Sequence, residues 1–306
     1  MDTFTMTQTS CLNDREKFIT YKTYDDSSKL VVIGDKDNLP VENATVVYEG
    51  EDATTNSDGI FIFSDVVVPN SGARLRVNKA GYFEAFRSID PHADNRSLDV
   101  RLQSYGQTYL FLATSGDELT DPSGASISIG SGVFELPSGD IYTGQVTSHI
   151  GVLDAQNPDV NVGFAASEKG HTSMGQVKLL EHYGTMWTSF KSAVGSDLNI
   201  RDGSSIILRF PKPAGNNSPS TLTLWKLDET EGHWVEYGNA ELKGNNYEAE
   251  VFETGTWSIQ RGFDFAILEG RVQNTKGLDL ERARIAISRE GSDITRRVWT
   301  DSEGKF

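Results

Sequence analysis

The chain has 306 residues, enough for two or three domains, each with its own core. Hydrophobic residues make up 37% and aromatics 10%, as in an ordinary globular protein, and 29 glycines against nine prolines suit the tight turns of an all-β architecture. A net charge of −16, from 44 acids against 28 bases, argues against nucleic acid or an anionic membrane as partner, because phosphates reward clustered lysine and arginine.

A single cysteine, Cys11, excludes an internal disulfide framework and a multi-cysteine zinc site. Residues 1–28 are polar without a sustained period and read as a leader or linker. No apolar stretch precedes Cys11, so neither a signal peptide nor a lipid anchor is predicted, and no apolar run approaches the roughly 20 residues of a membrane span. Asn43, Asn95 and Asn216 lie in N-x-S/T triplets, about as many as chance gives, in stretches that read as turns.

Strand signals begin at Lys29. An apolar run to Gly34 stops at the turn cluster Asp35–Pro40. Ala44–Tyr48 is β-branched, Asn56–Gly59 reads as a turn, Ile60–Phe63 resumes, and both Ala73–Val77 and Ser97–Leu102 alternate with period two. That spacing predicts a small β-sandwich over 29–104.

Residues 105–262 continue in the same style. Strands are predicted at Thr108–Ala113, Ala125–Ile129, Gly144–Ile150, Val177–Leu180, Gly184–Phe190, Ser205–Phe210, Leu222–Leu227, His233–Tyr237 and Tyr247–Val251. The loop Pro211–Pro219, flanked by strand signals, predicts a hairpin-like connection within one domain. No segment holds helical spacing over three turns, so helix content is expected to be low.

Leu268–Phe306 repeats the plan of Leu30–Phe61. Glu42-x-Ala44-x-Val46 returns as Glu281-x-Ala283-x-Ile285, and the Ser/Asp/Gly turn before Phe61 returns before Phe306. About forty residues follow Phe61 before its module closes. Residues 265–306 are therefore expected to be an incomplete second copy, and the chain a piece of a longer one.

The first module resembles the carboxypeptidase regulatory-like domain, a prealbumin-like β-sandwich. The residues that carry this are Pro40-x-x-x-Ala44-x-Val46, Thr55-x-x-Asp58-Gly59-x-Phe61 and Val77-x-Lys79-x-Gly81-Tyr82. The middle region resembles the core of the cartilage intermediate layer protein family. It does so at Tyr142-Thr-Gly144-Gln-Val146, Leu153-Asp154, Leu180-x-x-Tyr183-Gly184-x-Met186, Asp197-Leu-Asn199-Ile and Leu224-Trp225-x-x-Asp228-x-x-x-Gly232-x-Trp234-x-x-x-Gly238. Trp225 and Trp234 are expected to pack together on a hairpin whose turn Asp228 and Gly232 shape. One departure is Glu253–Trp257, where the family pattern implies a histidine before its last aromatic pair.

The resemblance implies serial sandwich modules in a secreted or cell-surface protein, acting as structural or adhesive segments with glycans or matrix and surface proteins as partners. Carbohydrate binding is the alternative, and a catalytic domain outside this stretch is a third reading. Within the stretch no enzyme, catalytic residue, metal site or cofactor is predicted. His92, His149, His171, His182 and His233 are scattered, with no Gly-x-Ser-x-Gly elbow or metal-ligand spacing. Two oxygen-rich clusters, Asp35/Asp37/Asn38 and Asp117/Glu118/Asp121, are calcium candidates without the alternation of an EF-hand loop, and solvated turns are the plainer reading. A sugar-stacking platform would require exposed rings among Trp187, Trp225, Trp234, Trp257 and Trp299.

Overall fold

The computed structural model describes residues 29–35, 39–63, 73–89, 97–153, 169–213, 218–264, 268, 270–288 and 295–306. The leader, His92, Asn95, Asn216 and the Asp37/Asn38 candidate lie outside them. Among the described residues the chain is all β. No described helix is long and apolar enough to cross a membrane. The chain divides into two compact units, residues 24–264 and a unit containing residues 265–306.

The first module has seven strands: β1 (Lys29–Asp35), β2 (Thr45–Tyr48), β3 (Glu51–Thr54), β4 (Ile60–Phe63), β5 (Ala73–Asn78), β6 (Ala85–Ile89) and β7 (Ser97–Leu102). They form two sheets, β4-β1-β7 and β3-β2-β5-β6. The alternation read from the sequence places Val46, Tyr48, Phe61, Phe63, Leu75 and Val77 in one buried cluster with Ala44. β3 and β6 were not predicted. Both are short, and β3 (Glu-Asp-Ala-Thr) carries no apolar period at all.

The middle region contributes β8 (Thr108–Leu112), β9 (Asp117–Thr120), β10 (Ser126–Ile129), β11 (Phe134–Glu135), β12 (Gln145–Leu153), β13 (Lys169–His171), β14 (Val177–Ser192), β15 (Asn199–Ile200), β16 (Ile206–Pro211), β17 (Thr221–Asp228), β18 (His233–Lys243), β19 (Asn246–Val251) and β20 (Thr256–Phe263). One large sheet runs β8-β12-β14-β20-β17-β18-β19-β16-β10-β9, with β13 between β14 and β18. Its two ends share one core. Phe111 of β8 and Leu119 of β9 lie in the same cluster as Val146, Phe190, Phe210, Tyr247 and Trp257, so the sheet curls back on itself in a sandwich-like arrangement.

Two sequence expectations are corrected here. Val177–Leu180 and Gly184–Phe190 are one strand, because a bulge between His182 and Gly184 lets the ladder to β20 continue past the polar Glu181-His182 pair. The loop after Pro211 is not a hairpin. β16 pairs with β19 and β10, whereas β17 pairs with β18 and β20. The second unit contains β21 (Arg284–Ser288) and β22 (Thr295–Trp299), paired antiparallel.

The repeat seen in the sequence recurs atom for atom. Thr55 Oγ1 accepts from the Ala44 N–H at 2.8 Å and donates to the Val41 carbonyl at 2.6 Å. Thr300 Oγ1 accepts from the Ala283 N–H at 2.8 Å and donates to the Leu280 carbonyl. Asn56 and Asp301 each accept two backbone N–H groups on the side-chain oxygen within a turn that closes on a glycine, Gly59 or Gly304, both at φ 69°. That geometry is a hairpin turn whose last residue is left-handed, which glycine adopts without a Cβ clash. Asn43 and Arg282 occupy the same left-handed bulge, at φ 57° and 56°. The second hairpin is longer: Thr300 lies 17 positions after Ala283, whereas Thr55 lies 11 after Ala44.

Candidate functional site

A groove of about 640 Å³ lies over the β17–β18 hairpin end of the larger unit, lined among others by Thr188, Asp197, Lys226, Glu229, Tyr237 and Glu253. The hairpin turn forms as the sequence predicts. Asp228 Oδ1 accepts from the Thr230 and Glu231 N–H groups at 2.8 and 3.0 Å, and Gly232, at φ 70°, donates to the Asp228 carbonyl. Trp225 and Trp234 lie in one buried cluster with Leu180, Leu227 and Phe86. Their strands fix the floor of the groove.

Phe86 belongs to β6, so this cluster is shared by the first module and the large sheet. A second shared cluster joins Phe83 to Leu153 and Trp187, with Tyr105 packed edge-on to Phe83 at 4.9 Å between ring centroids. Gly151 permits the close approach, since a Cβ there would lie 2.8 Å from the Phe83 ring and 2.6 Å from Gln103 Cγ. Arg74 completes the docking by donating to the Glu229 carbonyl at 2.9 Å. The docked module thus borders the groove.

Inside it, Lys226 is ion-paired with Glu253 and lies 5.8 Å from the centre of the Trp257 ring. Tyr237 packs edge-on to Trp257 at 4.7 Å, its hydroxyl accepting from the Phe252 N–H at 3.2 Å. Lys191 pairs with Asp197 at 2.6 Å. Glu229 reaches solvent at the rim, yet the surrounding walls strip water from its carboxyl and raise its pKa. Glu84 of the first module pushes it the same way, and Lys226 opposes. Carboxylates therefore outnumber cations, and the groove offers hydrogen-bond acceptors to hydroxyls, ammonium or guanidinium groups.

The histidines occupy separate places. His149 stacks on Tyr105 at 4.4 Å, and burial followed by the nearby Lys191 lowers its pKa. His171 and His233 stack on each other at 4.1 Å, and burial followed by the His233 charge lowers the pKa of His171. No sequence pattern brings this pair together, because β13 is only three residues long. His182 sits at the β14 bulge with Nε2 2.7 Å from Thr185 Oγ1. No described histidine lines the groove.

The described calcium candidates have other partners. Asp117 and Asp121 accept backbone N–H groups from Glu118 and Ser123, while Glu118 takes the Ser126 hydroxyl and pairs with Arg209 at 2.6 Å. Among the described residues no group of three or more histidines, cysteines and acids is arranged to hold a metal ion. Trp187, Trp225, Trp234 and Trp257 are buried, whereas Trp299 is 59% exposed.

No family model matches the chain, and no curated protein matches it. A solved structure from Bacteroides fragilis, a protein of unknown function, is similar over 78% of this chain and 98% of its own length, at 8% identity and a TM-score of 0.23. A likeness of that size carries no argument about function.

Proposed function

We propose that this chain is a non-catalytic, structural or adhesive β-sandwich segment of a secreted or cell-surface protein, and that it meets its partner at the acidic groove. What supports this reading is the docking of the first module. Two apolar clusters and the Arg74 hydrogen bond make the module and the large sheet one body, and the groove lies where they adjoin. A spacer or adhesin needs such stiffness, because a preformed surface binds without the entropic cost of ordering it. The surplus of carboxylates favours a partner rich in lysine and arginine. Binding of the intact chain to immobilised basic matrix proteins, measured at rising ionic strength, tests this. Binding that weakens with salt and is lost in the Glu229→Gln, Glu253→Gln double variant supports the proposal, and salt-independent binding refutes it.

Carbohydrate binding is the second reading, favoured by Tyr237 and by the ring of acceptor oxygens suited to sugar hydroxyls. Burial of four of the five tryptophans removes them from a stacking platform in the larger unit. A glycan-array signal lost in Tyr237→Ala would favour this reading over the first.

A further inference from the structure

β1 and β7 open and close the first module, and they lie side by side. β1 is the middle strand of its sheet, with β4 on one edge and β7 on the other. Its ladder to β7 is parallel over six pairs, from Leu30 opposite Ser97 to Asp35 opposite Leu102. Its ladder to β4 is antiparallel over four pairs, from Lys29 opposite Phe63 to Val32 opposite Ile60. The chain enters the module at the start of β1 and leaves it at the end of β7, on the way to β8. Because β1 and β7 run the same way, these two points lie at opposite ends of one ladder.

That placement decides how the module meets a pull along the chain. Tension draws β1 back by its first residue and β7 forward by its last, so the strands are driven past one another along their axes. The ladder bonds run between the strands, across that direction, and must yield together. A ladder opened from one end loses them one at a time. Side-chain packing adds to the resistance. Val100 and Leu102 are buried with Phe61 and Phe63 in the core of the module, whereas Arg101 between them is half-exposed. A slip of one residue would exchange the two faces of β7, taking both aliphatic side chains out of the core and turning Arg101 in. The large sheet is arranged otherwise: β12 and β14 stand between β8, its first strand, and β20, its last.

We propose that the first module is a tension clamp, which carries force along the chain by shear of the β1–β7 ladder. The source of the force rests on the structural or adhesive role proposed above. The clamp itself is independent of what the groove binds.

Single-molecule pulling on the intact chain tests this. Cys11 is the one native thiol, so handles are attached through cysteines in a Cys11→Ser background. Lys29→Cys with Gln107→Cys loads β1 and β7 in shear. Asp35→Cys with Gln107→Cys pulls the same two strands apart from one end. At equal loading rate the shear pair is expected to unfold the module at a force at least about twofold higher, since forced unfolding follows the barrier that the load must cross. Pulling from tags beyond both chain ends, with no substitution in the module, should return the shear force for the step whose contour length is that of residues 29–102. A smaller ratio between the cysteine pairs, or a terminal-tag force matching the one-ended geometry, overturns the proposal. None of these forces depends on a ligand, so a groove that binds no basic protein sinks that reading and leaves the clamp standing.

Discussion

Thr55 and Thr300 tie down the same two backbone groups in their respective modules: an alanine N–H and the carbonyl three residues before that alanine. Both threonines are nearly inaccessible, at 2% and 3% exposure, so water does not replace a lost bond. Thr55→Val keeps the shape and leaves both groups unsatisfied, and should cost roughly 2–3 kcal/mol of stability in the larger unit. Thr55→Ser, which retains the oxygen, should cost less than half of that. Urea denaturation of the two variants side by side separates hydrogen bonding from packing, and equal losses would discard the lock.

Phe86 reaches the Trp225/Trp234 cluster from the first module, so its truncation probes the docking directly. Phe86→Ala is expected to cost about 3–5 kcal/mol, the range for removing a buried aromatic side chain. It should also expose β6 to limited proteolysis while the core around Tyr247 and Trp257 stays protected. Gly151→Ala attacks the same junction by overfilling it, at about 1–3 kcal/mol. If neither variant changes protease sensitivity between the module and the large sheet, the two are merely strung together.

Much of this architecture was legible in the sequence because it rests on local physics. Period-two alternation in Ala73–Val77 and Ser97–Leu102 marks half-buried strands, and Asn56–Gly59 and Asp301–Gly304 announce turns that need a left-handed glycine. The repeat was visible for the same reason. What local pattern does not carry is long-range pairing. Nothing in Pro211–Pro219 tells that two strands will come between β16 and β17, and nothing in Glu181-His182 separates a break from a bulge. The groove escaped notice because its lining comes from several distant stretches, and a run such as Asp228-Glu229-Thr230 reads simply as a solvated turn.

The stacked His171 and His233 rings predict acid sensitivity at the β13–β18 pairing. Burial and its neighbour lower the pKa of folded His171 below the ordinary value of 6.5, so near that pH the unfolded chain binds more protons than the folded one. The associated stability is present above about pH 6.5 and is lost as pH falls toward the folded-state pKa. His233→Phe keeps an aromatic ring on His171 and removes the second charge. Its melting temperature should therefore fall less than that of the wild type between roughly pH 7 and 5. Parallel curves would show that the stack does not titrate with folding.

Glu229 has the opposite sign, and that separates the two functional readings. Its carboxyl is raised in the folded state above the ordinary value of 4.5, first by loss of water and then by Glu84, so ionised Glu229 costs stability at neutral pH. Glu229→Gln should therefore raise the melting temperature at pH 7, with the gap closing as the solution is acidified below pH 4.5, where the carboxyl is protonated in both states. An unfavourable carboxylate beside Lys226 and Asp228 is understandable as a binding group relieved by a partner's cation. On that account Glu229→Gln gains stability while its affinity for a lysine- and arginine-rich protein falls several-fold. A neutral glycan, held by hydroxyl hydrogen bonds that glutamine also accepts, should barely notice the change. Thermal melts and binding isotherms on the same preparation decide between the two, and a variant that gains neither stability nor selectivity removes Glu229 from the site.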